Sequence, residues 1–432
     1  DPNGMVYFNG KYHLFYQFYD DVEWGPMHWA HAVSTDLLHW TEEPIAFYPD
    51  ANGAMFSGCI VADTRNESGF FDGVPGGGLV ALITADGGGQ RIKLAYSADE
   101  GTTWTKVDEI AADWTDDPLA DSAFRDPKVF RWENQWFMVV AGGPLRIYSS
   151  KNLREWKCET PYGDLHTECP DLYPIQLEDG TIKWVLSRGG RFYKIGDFTN
   201  RNGKWEFIPD ADYRGNRDGA ETNGVMNFGD DSYAAMTYFV QDFGTSANPQ
   251  IPTITEINWM NTWADNYCRR VTQASGEKFN GTFNLNLDLG LTEENGKYLL
   301  TQTPVRAYES LRDTENAVVI PKTAASEANA QIADFRSDCY EIIAQFKPLA
   351  NETVGFNVRV GGGKKTSVLY DSAQKTMTID RSQSGRMIPD AAAFSGIDKQ
   401  ENVELNADGT MDMHIFVDRA CVELFAKNNT VL

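Results

Sequence analysis

Three carboxylic acids in this chain stand just before a proline at the start of a strand-like run. They occur in the segments Asp1-Pro2, Arg125-Asp126-Pro127 and Glu168-Cys169-Pro170. A proline ring keeps the residue before it out of the helical region, so the chain there is extended and a side chain can be aimed. One such pair is usually an ordinary turn. Three at equivalent positions of separate strand units predict that the acids face a common pocket.

Three convergent carboxyl groups suit the cleavage of a glycosidic bond. One ionised carboxylate attacks the anomeric carbon while a protonated acid donates to the leaving oxygen; the two lie about 5–5.5 Å apart in retaining enzymes and about 6.5–9.5 Å apart in inverting ones. The proton donor needs a raised pKa, which burial and neighbouring negative charge supply. Arg125 beside Asp126 favours the ionised form of that acid, whereas Glu168 has no cation next to it in the sequence. Glu168 is therefore the predicted proton donor, and Asp126 is expected to hold sugar hydroxyls.

Short alternating or aromatic runs bounded by Gly, Asn and Asp dominate the sequence, which indicates an all-β protein. A unit made of a short run, a turn and a second apolar strand recurs within the first 240 residues, at MVYFNGKYHLFYQF, CIVADTRNESGFFDGVPGGGLVALIT, KVFRWENQWFMVVAG, LYPIQLEDGTIKWVLSRG and VMNFGDDSYAAMTYF. A second element, a polar turn that leads to a Trp, begins at Ser34, Ser97 and Ser149, with a looser copy at Gly196. Five such repeats predict a five-bladed β-propeller with its inner strands around a central pocket.

The sequence changes in character after about residue 305. Evenly spaced strands without the Trp element follow, at YEIIAQFKPL, VGFNVRVG, SVLYDSAQKTMTIDR, MDMHIFVDR and ACVELFAKN. This pattern is typical of a β-sandwich. We expect residues 1–305 to form the propeller and residues 306–432 the sandwich, with the polar segment 303–323 as the linker. We also expect a chain cut at both ends, with the sandwich incomplete at its C-terminal end.

The charge of the chain limits its partners. The formal net charge is −24 at pH 7, so nucleic acid and anionic membrane surfaces would be repelled, whereas a neutral sugar would not. No run approaches the roughly 18 apolar residues of a membrane helix. The six cysteines form no CxxC pair, and no metal site or cofactor is predicted. His28 and His31 are expected to pack or to bond locally, and the oligomeric state stays open.

Around the three acids and in several further motifs, the sequence resembles glycoside hydrolase family 32, the fructan hydrolases and invertases. The motifs that carry the resemblance span nearly the whole chain and are Asp1-Pro2-Asn3-Gly4, Tyr16-Gln17, Trp24-Gly25, Phe56-Ser57-Gly58, Arg125-Asp126-Pro127, Glu168-Cys169-Pro170-Asp171, Trp259-Met260-Asn261 and Asp418-Arg419 through Val422-Glu423. The family has a five-bladed propeller followed by a β-sandwich and works by retention through a covalent fructosyl-enzyme intermediate. The resemblance implies that Asp1 is the nucleophile, Glu168 the general acid/base and Asp126 the transition-state stabiliser.

The resemblance also implies which residues line the site for the terminal fructose. These are Asn3, Gln17, Trp24, Phe56, Ser57, Arg125 and Trp259, where Trp263 is an alternative to Trp259. Two departures from the family pattern stand out. The Asn that usually precedes the nucleophile is missing, because the sequence begins at Asp1, and Cys59 takes a place where a small hydroxyl or apolar residue is common.

The expected activity is release of terminal β-linked fructose from levan, inulin or sucrose, with an extracellular or cell-surface location favoured over the cytoplasm. Within the family, an endo-acting fructanase and a fructosyltransferase remain alternatives. A five-bladed arabinan or xylan hydrolase would instead invert at the anomeric carbon. A non-catalytic fructan-binding propeller is the alternative of another class; it would be supported by a missing acid, and all three acids are present.

Overall fold

The computed structural model describes residues 1–21, 24–210, 224–263, 279, 281–294, 296–385, 396–427 and 430–432. The chain divides into two compact units, and the boundary between them lies between Thr303 and Pro304. Antiparallel strands are the main regular structure of both units, as the sequence predicts. Among the described helices, none has the length and apolar character that crossing a bilayer requires.

Five antiparallel sheets, the blades of a propeller, build the described part of the first unit. Blades 1 and 2 consist of β1 (Pro2–Phe8), β2 (Lys11–Phe18), β3 (His28–Ser34) and β4 (Trp40–Phe47), then β5 (Ala54–Asp63), β6 (Gly78–Asp86), β7 (Gln90–Ser97) and β8 (Thr105–Asp113). Blade 3 contains β9 (Arg125–Trp132), β10 (Gln135–Ala141), β11 (Pro144–Ser150) and β12 (Lys157–His166). Blade 4 contains β13 (Asp171–Gln176), β14 (Ile182–Arg188), β15 (Phe192–Arg201), β16 (Lys204–Pro209) and the short β17 (Gly224–Val225).

Blade 5 begins with β18 (Tyr233–Thr237) and continues, after a two-stranded ribbon, with longer strands. The ribbon is β19 (Gly244–Thr245) with β20 (Asn248–Pro249), and the remaining strands are β21 (Ile254–Met260), β22 (Thr282–Phe283), β23 (Leu287–Glu294) and β24 (Lys297–Pro304). One detail of the predicted repeat is wrong. The run VMNF of the fifth unit does not start blade 5, because Gly224–Val225 pairs with β15 of blade 4.

The first strand of each blade lies next to the axis, and these inner strands form a ring. β5 lies beside β1 and β9, β13 lies beside β9, and β18 lies beside β1. Thr237 on β18 closes the ring, because its N–H and its Oγ1 both donate to Asp171 on β13 at 2.8 Å. The strands are rich in β-branched and aromatic residues that suit a buried sheet, and β9 and β10 are buried almost throughout. The five blades predicted from the repeat are therefore present.

A recurring turn explains the Trp element. In blades 1, 2 and 3 a residue with positive φ offers its carbonyl to the indole Nε1 of the Trp three residues later. The carbonyls belong to Leu37, Gly101 and Leu153, and the indoles to Trp40, Trp104 and Trp156, at 3.2, 3.0 and 2.9 Å. The prediction of a fourth, looser copy of this turn is wrong, because Gly196-Asp197-Phe198 lies inside β15.

The described part of the second unit contains two four-stranded antiparallel sheets, a 3₁₀ helix at Arg306–Leu311 and one α-helix at Ala325–Gln331. The first sheet has the order β25 (Tyr340–Phe346), β30 (Met411–Val417), β31 (Val422–Ala426) and β32 (Thr430–Val431). The second has the order β26 (Thr353–Gly361), β27 (Lys364–Asp371), β28 (Thr376–Asp380) and β29 (Ile397–Gln400). Two sheets of this kind make the β-sandwich that the sequence predicts.

Two histidines are buried against each other in blade 1. His13 Nδ1 lies 3.1 Å from His31 Nε2, and Phe15 stacks on the His31 ring with the centroids 4.0 Å apart. Burial lowers the pKa of His13 to about 4 and that of His31 to about 3. Both rings are therefore neutral at pH 7. His31 bonds locally, as expected from the sequence.

These two rings make the fold sensitive to acid. The unfolded chain binds their protons near pH 6.5, whereas the folded chain binds them only near pH 4 and 3. The free energy of unfolding should therefore fall as the pH drops from about 6.5 to 4, by up to about 1.4 kcal/mol per pH unit for each ring. His31→Gln keeps a polar nitrogen near the place of Nε2, but the glutamine does not titrate. In this variant the free energy of unfolding should therefore fall less steeply with decreasing pH, by up to about 1.4 kcal/mol per pH unit. Urea unfolding at a series of pH values measures the slope. His166→Gln on β12 is the control, and an unchanged slope in His31→Gln would contradict this assignment.

Candidate active site

Each inner strand of the propeller has one extra residue at the end where it begins. The strand registers shift by one between Asn3 and Val6 on β1, between Phe56 and Gly58 on β5, at the start of β9, and between Tyr233 and Met236 on β18. Just before β13, the Gly189 N–H donates to the Glu168 carbonyl at 2.9 Å, one residue out of step with the ladder that follows. Such β-bulges bend a strand and re-aim its side chains. All five bulges lie at the same end of the axis.

Several bulge residues have left-handed backbones. The φ angles are 54° at Gly4, 59° at Asp126, 42° at Cys169 and 57° at Ala234. At Gly4 a Cβ atom would lie 2.8 Å from Ile60 Cδ1 and 2.9 Å from Phe15 Cδ2, so any other residue would force these side chains to move. For the other three this conformation costs on the order of 1–3 kcal/mol each, and it persists only where the surroundings impose it. Residues held in sparsely populated backbone conformations cluster at functional sites.

The three predicted acids lie at this bulged end. Asp1 directly precedes β1, Asp126 is the second residue of β9, and Glu168 stands three residues before β13. The Asp1 carbonyl accepts a hydrogen bond from Gln17 N–H at 3.0 Å. The backbone nitrogen of Asp1 lies near Asp126 and Cys169. The structure therefore brings together acids from three separate blades, of which Asp1 lies more than a hundred residues before the other two in the sequence.

Two donors hold the carboxyl group of Glu168. Arg125 Nη2 lies 2.5 Å from Oε1, and the Tyr233 hydroxyl donates to Oε2 at 2.6 Å. Burial acts to raise the pKa of Glu168, but these hydrogen bonds and the charge of Arg125 outweigh it, so the pKa lies below the usual value. With no sugar bound, Glu168 is therefore a carboxylate at neutral pH.

Asp126 shows the opposite shift. Its side chain is almost fully buried, and this burial raises its pKa above the usual value, against the opposing effects of Arg125 and of the Cys169 N–H. The Cys169 N–H donates to Asp126 Oδ2 at 2.9 Å, and Asp126 N–H donates to Thr84 Oγ1 at 3.0 Å. The sequence-based pairing of Arg125 with Asp126 is only partly right, because Arg125 Nε lies 3.8 Å from Asp126 while its Nη2 binds Glu168 much more closely.

Three residues expected to bind fructose form one hydrogen-bond network. With the Asn3 amide oriented so that its oxygen faces Gln17, this oxygen accepts from Gln17 Nε2 at 2.9 Å, and its nitrogen donates to Ser57 Oγ at 3.2 Å. Gln17 Nε2 also donates to the Met55 carbonyl at 3.1 Å. Asn3 and Ser57 are buried. Polar side chains fixed in this way can present hydroxyl-binding groups without losing much freedom on binding.

The predicted aromatic residues lie around this end. The rings of Trp24 and Phe56 meet edge to face with their centroids 5.9 Å apart, and 58% of Trp24 is exposed. Trp259 is the direct cross-strand partner of Tyr233 and is therefore close to the residue that binds Glu168. Trp263, the alternative to Trp259, contacts the Trp259 ring and is itself half exposed.

Tyr233 is the residue that sequence reasoning missed. It begins β18, so it holds in blade 5 the place that an acid holds at the start of blades 1, 3 and 4. Only the position in the repeat could have drawn attention to it, because no motif marks a tyrosine there. Among the described residues, no group of three or more His, Cys, Asp or Glu side chains is arranged to hold a metal ion.

A five-bladed propeller with three acids at one end of its axis, followed by a β-sandwich, defines a class of glycoside hydrolases. The chain belongs to glycosyl hydrolases family 32: the family's N-terminal domain matches residues 1–304 and its C-terminal domain matches residues 307–432. The resemblance seen in the motifs is confirmed. The described structure superposes on the exo-inulinase of Aspergillus awamori with a TM-score of 0.83 at 28% identity, and covers 100% of this chain and 89% of that one.

Curated relatives agree with this family. The chain is 62% identical to a fructan beta-fructosidase of Streptococcus mutans over 100% of its own length and 30% of that protein. It is 34% identical to a levanase of Bacillus subtilis, over 99% of its own length and 63% of that protein. The chain thus spans less than two thirds of the length of these two relatives.

The contact from Tyr233 to Glu168 should set the pKa of this acid. Tyr233→Phe removes a donor to the carboxylate, so the pKa of Glu168 should rise. A carbon NMR titration of labelled glutamate, with Glu168→Gln to assign the signal, measures the pKa directly. Tyr298→Phe, a tyrosine of β24, is the control. A Glu168 pKa that is unchanged or lower in Tyr233→Phe would contradict the role given to this hydroxyl.

Proposed function

We propose that this chain releases terminal β-linked fructose from levan, inulin and sucrose, with net retention at the anomeric carbon. The observation that carries the proposal is the convergence of Glu168, Asp126 and Arg125 with the buried amide network of Asn3, at the bulged end of the propeller. Membership of family 32 and the likeness to proteins named fructan beta-fructosidase, levanase and exo-inulinase support it. The proposed domains are residues 1–305 and 306–432.

In the first step the Asp1 carboxylate attacks the anomeric carbon of the terminal fructose. Glu168 donates its proton to the glycosidic oxygen, so the bond to the leaving sugar breaks and a covalent fructosyl-enzyme forms. In the second step Glu168, now ionised, takes a proton from water, and this water attacks the anomeric carbon and frees Asp1. Two displacements at the same carbon give retention. Asp126 holds fructose hydroxyls throughout.

The free site has Glu168 in the wrong state for the first step, because Arg125 and Tyr233 hold it as a carboxylate. A fructose hydroxyl that accepts a hydrogen bond from Arg125 would take this cation away from Oε1. The burial that already acts to raise the pKa of Glu168 would then be less opposed. Sugar binding thus prepares the proton donor.

We favour exo-attack by an extracellular or surface-bound protein. The relatives named "Extracellular exo-inulinase" support both points. An endo-acting fructanase of the same family is the second candidate, since a levanbiose-producing levanase of Bacillus subtilis is 34% identical over 72% of this chain. A fructosyltransferase would use a sugar in place of water in the second step.

Product analysis on sucrose, inulin and levan tests the proposal. The wild type should release free fructose, and Glu168→Ala should lose roughly 10²–10⁴-fold in rate, since it lacks the proton donor. Glu178→Ala, an exposed acid in the β13–β14 hairpin, is the matched control and should keep full activity. The anomer that forms first, read by NMR, should be the retained one.

Three outcomes would contradict the proposal. Short oligosaccharides from levan without free fructose would indicate an endo-enzyme. An inverted first product would point to the arabinan and xylan type of propeller. Binding that survives Glu168→Ala while the wild type turns over none of the three substrates would indicate a non-catalytic fructan-binding protein.

A further inference from the structure

A row of aromatic rings crosses the top of blade 1 on the same face as the acids. β2 ends at Phe18, β3 begins at His28 and β4 ends at Phe47. In an antiparallel sheet these ends lie where β1 begins, which is the end that carries Asp1. The loops after β2 and β4 therefore border the candidate active site. We call the rings of Trp24, Tyr19, His28 and Tyr48 the aromatic ridge.

Neighbouring members of the aromatic ridge lie close to one another. Trp24 touches Phe56 of the fructose site, with the centroids 5.9 Å apart. The next residue, Gly25, lies against Tyr19 so closely that a Cβ atom there would be 2.3 Å from the ring. Tyr19 lies 6.5 Å from His28, and His28 lies 5.2 Å from Tyr48. The row thus leads from Phe56 to Tyr48, with the backbone of Gly25 between Trp24 and Tyr19.

Two of these rings are open to solvent although they are large and apolar. Trp24 and Tyr48 are each 58% exposed. The backbone that carries Tyr48 is held in place, because Lys106 Nζ donates to the Tyr48 carbonyl at 2.8 Å and to Asp50 Oδ2 at 2.7 Å. That ion pair also balances the charge beside the ring. Exposed, fixed and uncharged rings offer flat surfaces on which the apolar faces of neutral sugars can stack.

We propose that the aromatic ridge binds the sugar units of a fructan that follow the fructose being cleaved, with Tyr48 as its outermost ring. This inference rests on the proposed function and adds the part of the substrate that the three acids do not reach. The ridge begins at the wall of the fructose site and runs away from it, as the remaining chain of a polymer must. Sucrose has a single glucose beyond its fructose and would not extend along the whole ridge.

Kinetics on a polymer and on sucrose test the role of Tyr48. In Tyr48→Ala the KM for inulin or levan should rise roughly fivefold, while kcat/KM on sucrose should change by less than about twofold. Tyr48→Phe keeps the ring and should behave as the wild type. Phe335→Ala removes an exposed ring from the second unit and is the control. Thermal unfolding checks that each variant is folded.

A binding measurement separates this inference from the proposed function. Two inactive variants, Glu168→Ala alone and Glu168→Ala combined with Tyr48→Ala, are run through native gels that contain levan or inulin. The polymer should slow the double variant less than the single variant. Equal effects on sucrose and polymer, or no effect on polymer KM and retention, would overturn the role of the aromatic ridge. Failure of the wild type to release fructose would overturn the proposed function alone, and gel retention would then decide about the ridge.

Discussion

One extra residue near the start of each inner strand is the constraint on which the site depends. Side chains of a regular strand alternate between faces, and the N–H groups that face the neighbouring strand are used by the ladder. At a bulge this order is broken, and N–H groups become available for other partners. The Asp126 N–H then binds Thr84 Oγ1, and the Cys169 N–H binds the Asp126 carboxyl group. The irregular backbone thus holds the acids directly.

Directly below the acids, a buried ion pair ties three blades together. Lys128 of β9 lies 3.3 Å from Asp171 of β13, and both bind Thr237 of β18. The nearby Glu256 is also buried, and burial raises its pKa to about 8, so it adds no second negative charge at neutral pH. Buried pairs of this kind add little net stability, but removal of one partner leaves a costly buried charge. The pair therefore fixes how the inner strands meet under the site.

Most of the fold could be predicted from the sequence, whereas the geometry of the site could not. Spacing of strand pairs and of Trp40, Trp104 and Trp156 predicts blades because each copy repeats the same local hydrogen bond. Motifs identify the acids because their residue types are fixed by the chemistry. Neither shows that Arg125 turns to Glu168, or that Tyr233 completes its partners, because these contacts join separate blades. Long-range contacts of single side chains leave no periodic trace.

In the proposed mechanism, the position of Arg125 links recognition to proton transfer. Two acids with opposite pKa shifts share this one guanidinium, which binds Glu168 closely and Asp126 at a longer distance. A sugar that draws the cation toward its own hydroxyls changes both acids together, since each loses part of the same charge. A ligand without hydroxyls in the right place would fill the pocket but leave Glu168 ionised. Selectivity for the correct sugar would then come in part from the protonation of the acid, and not only from the fit of the pocket.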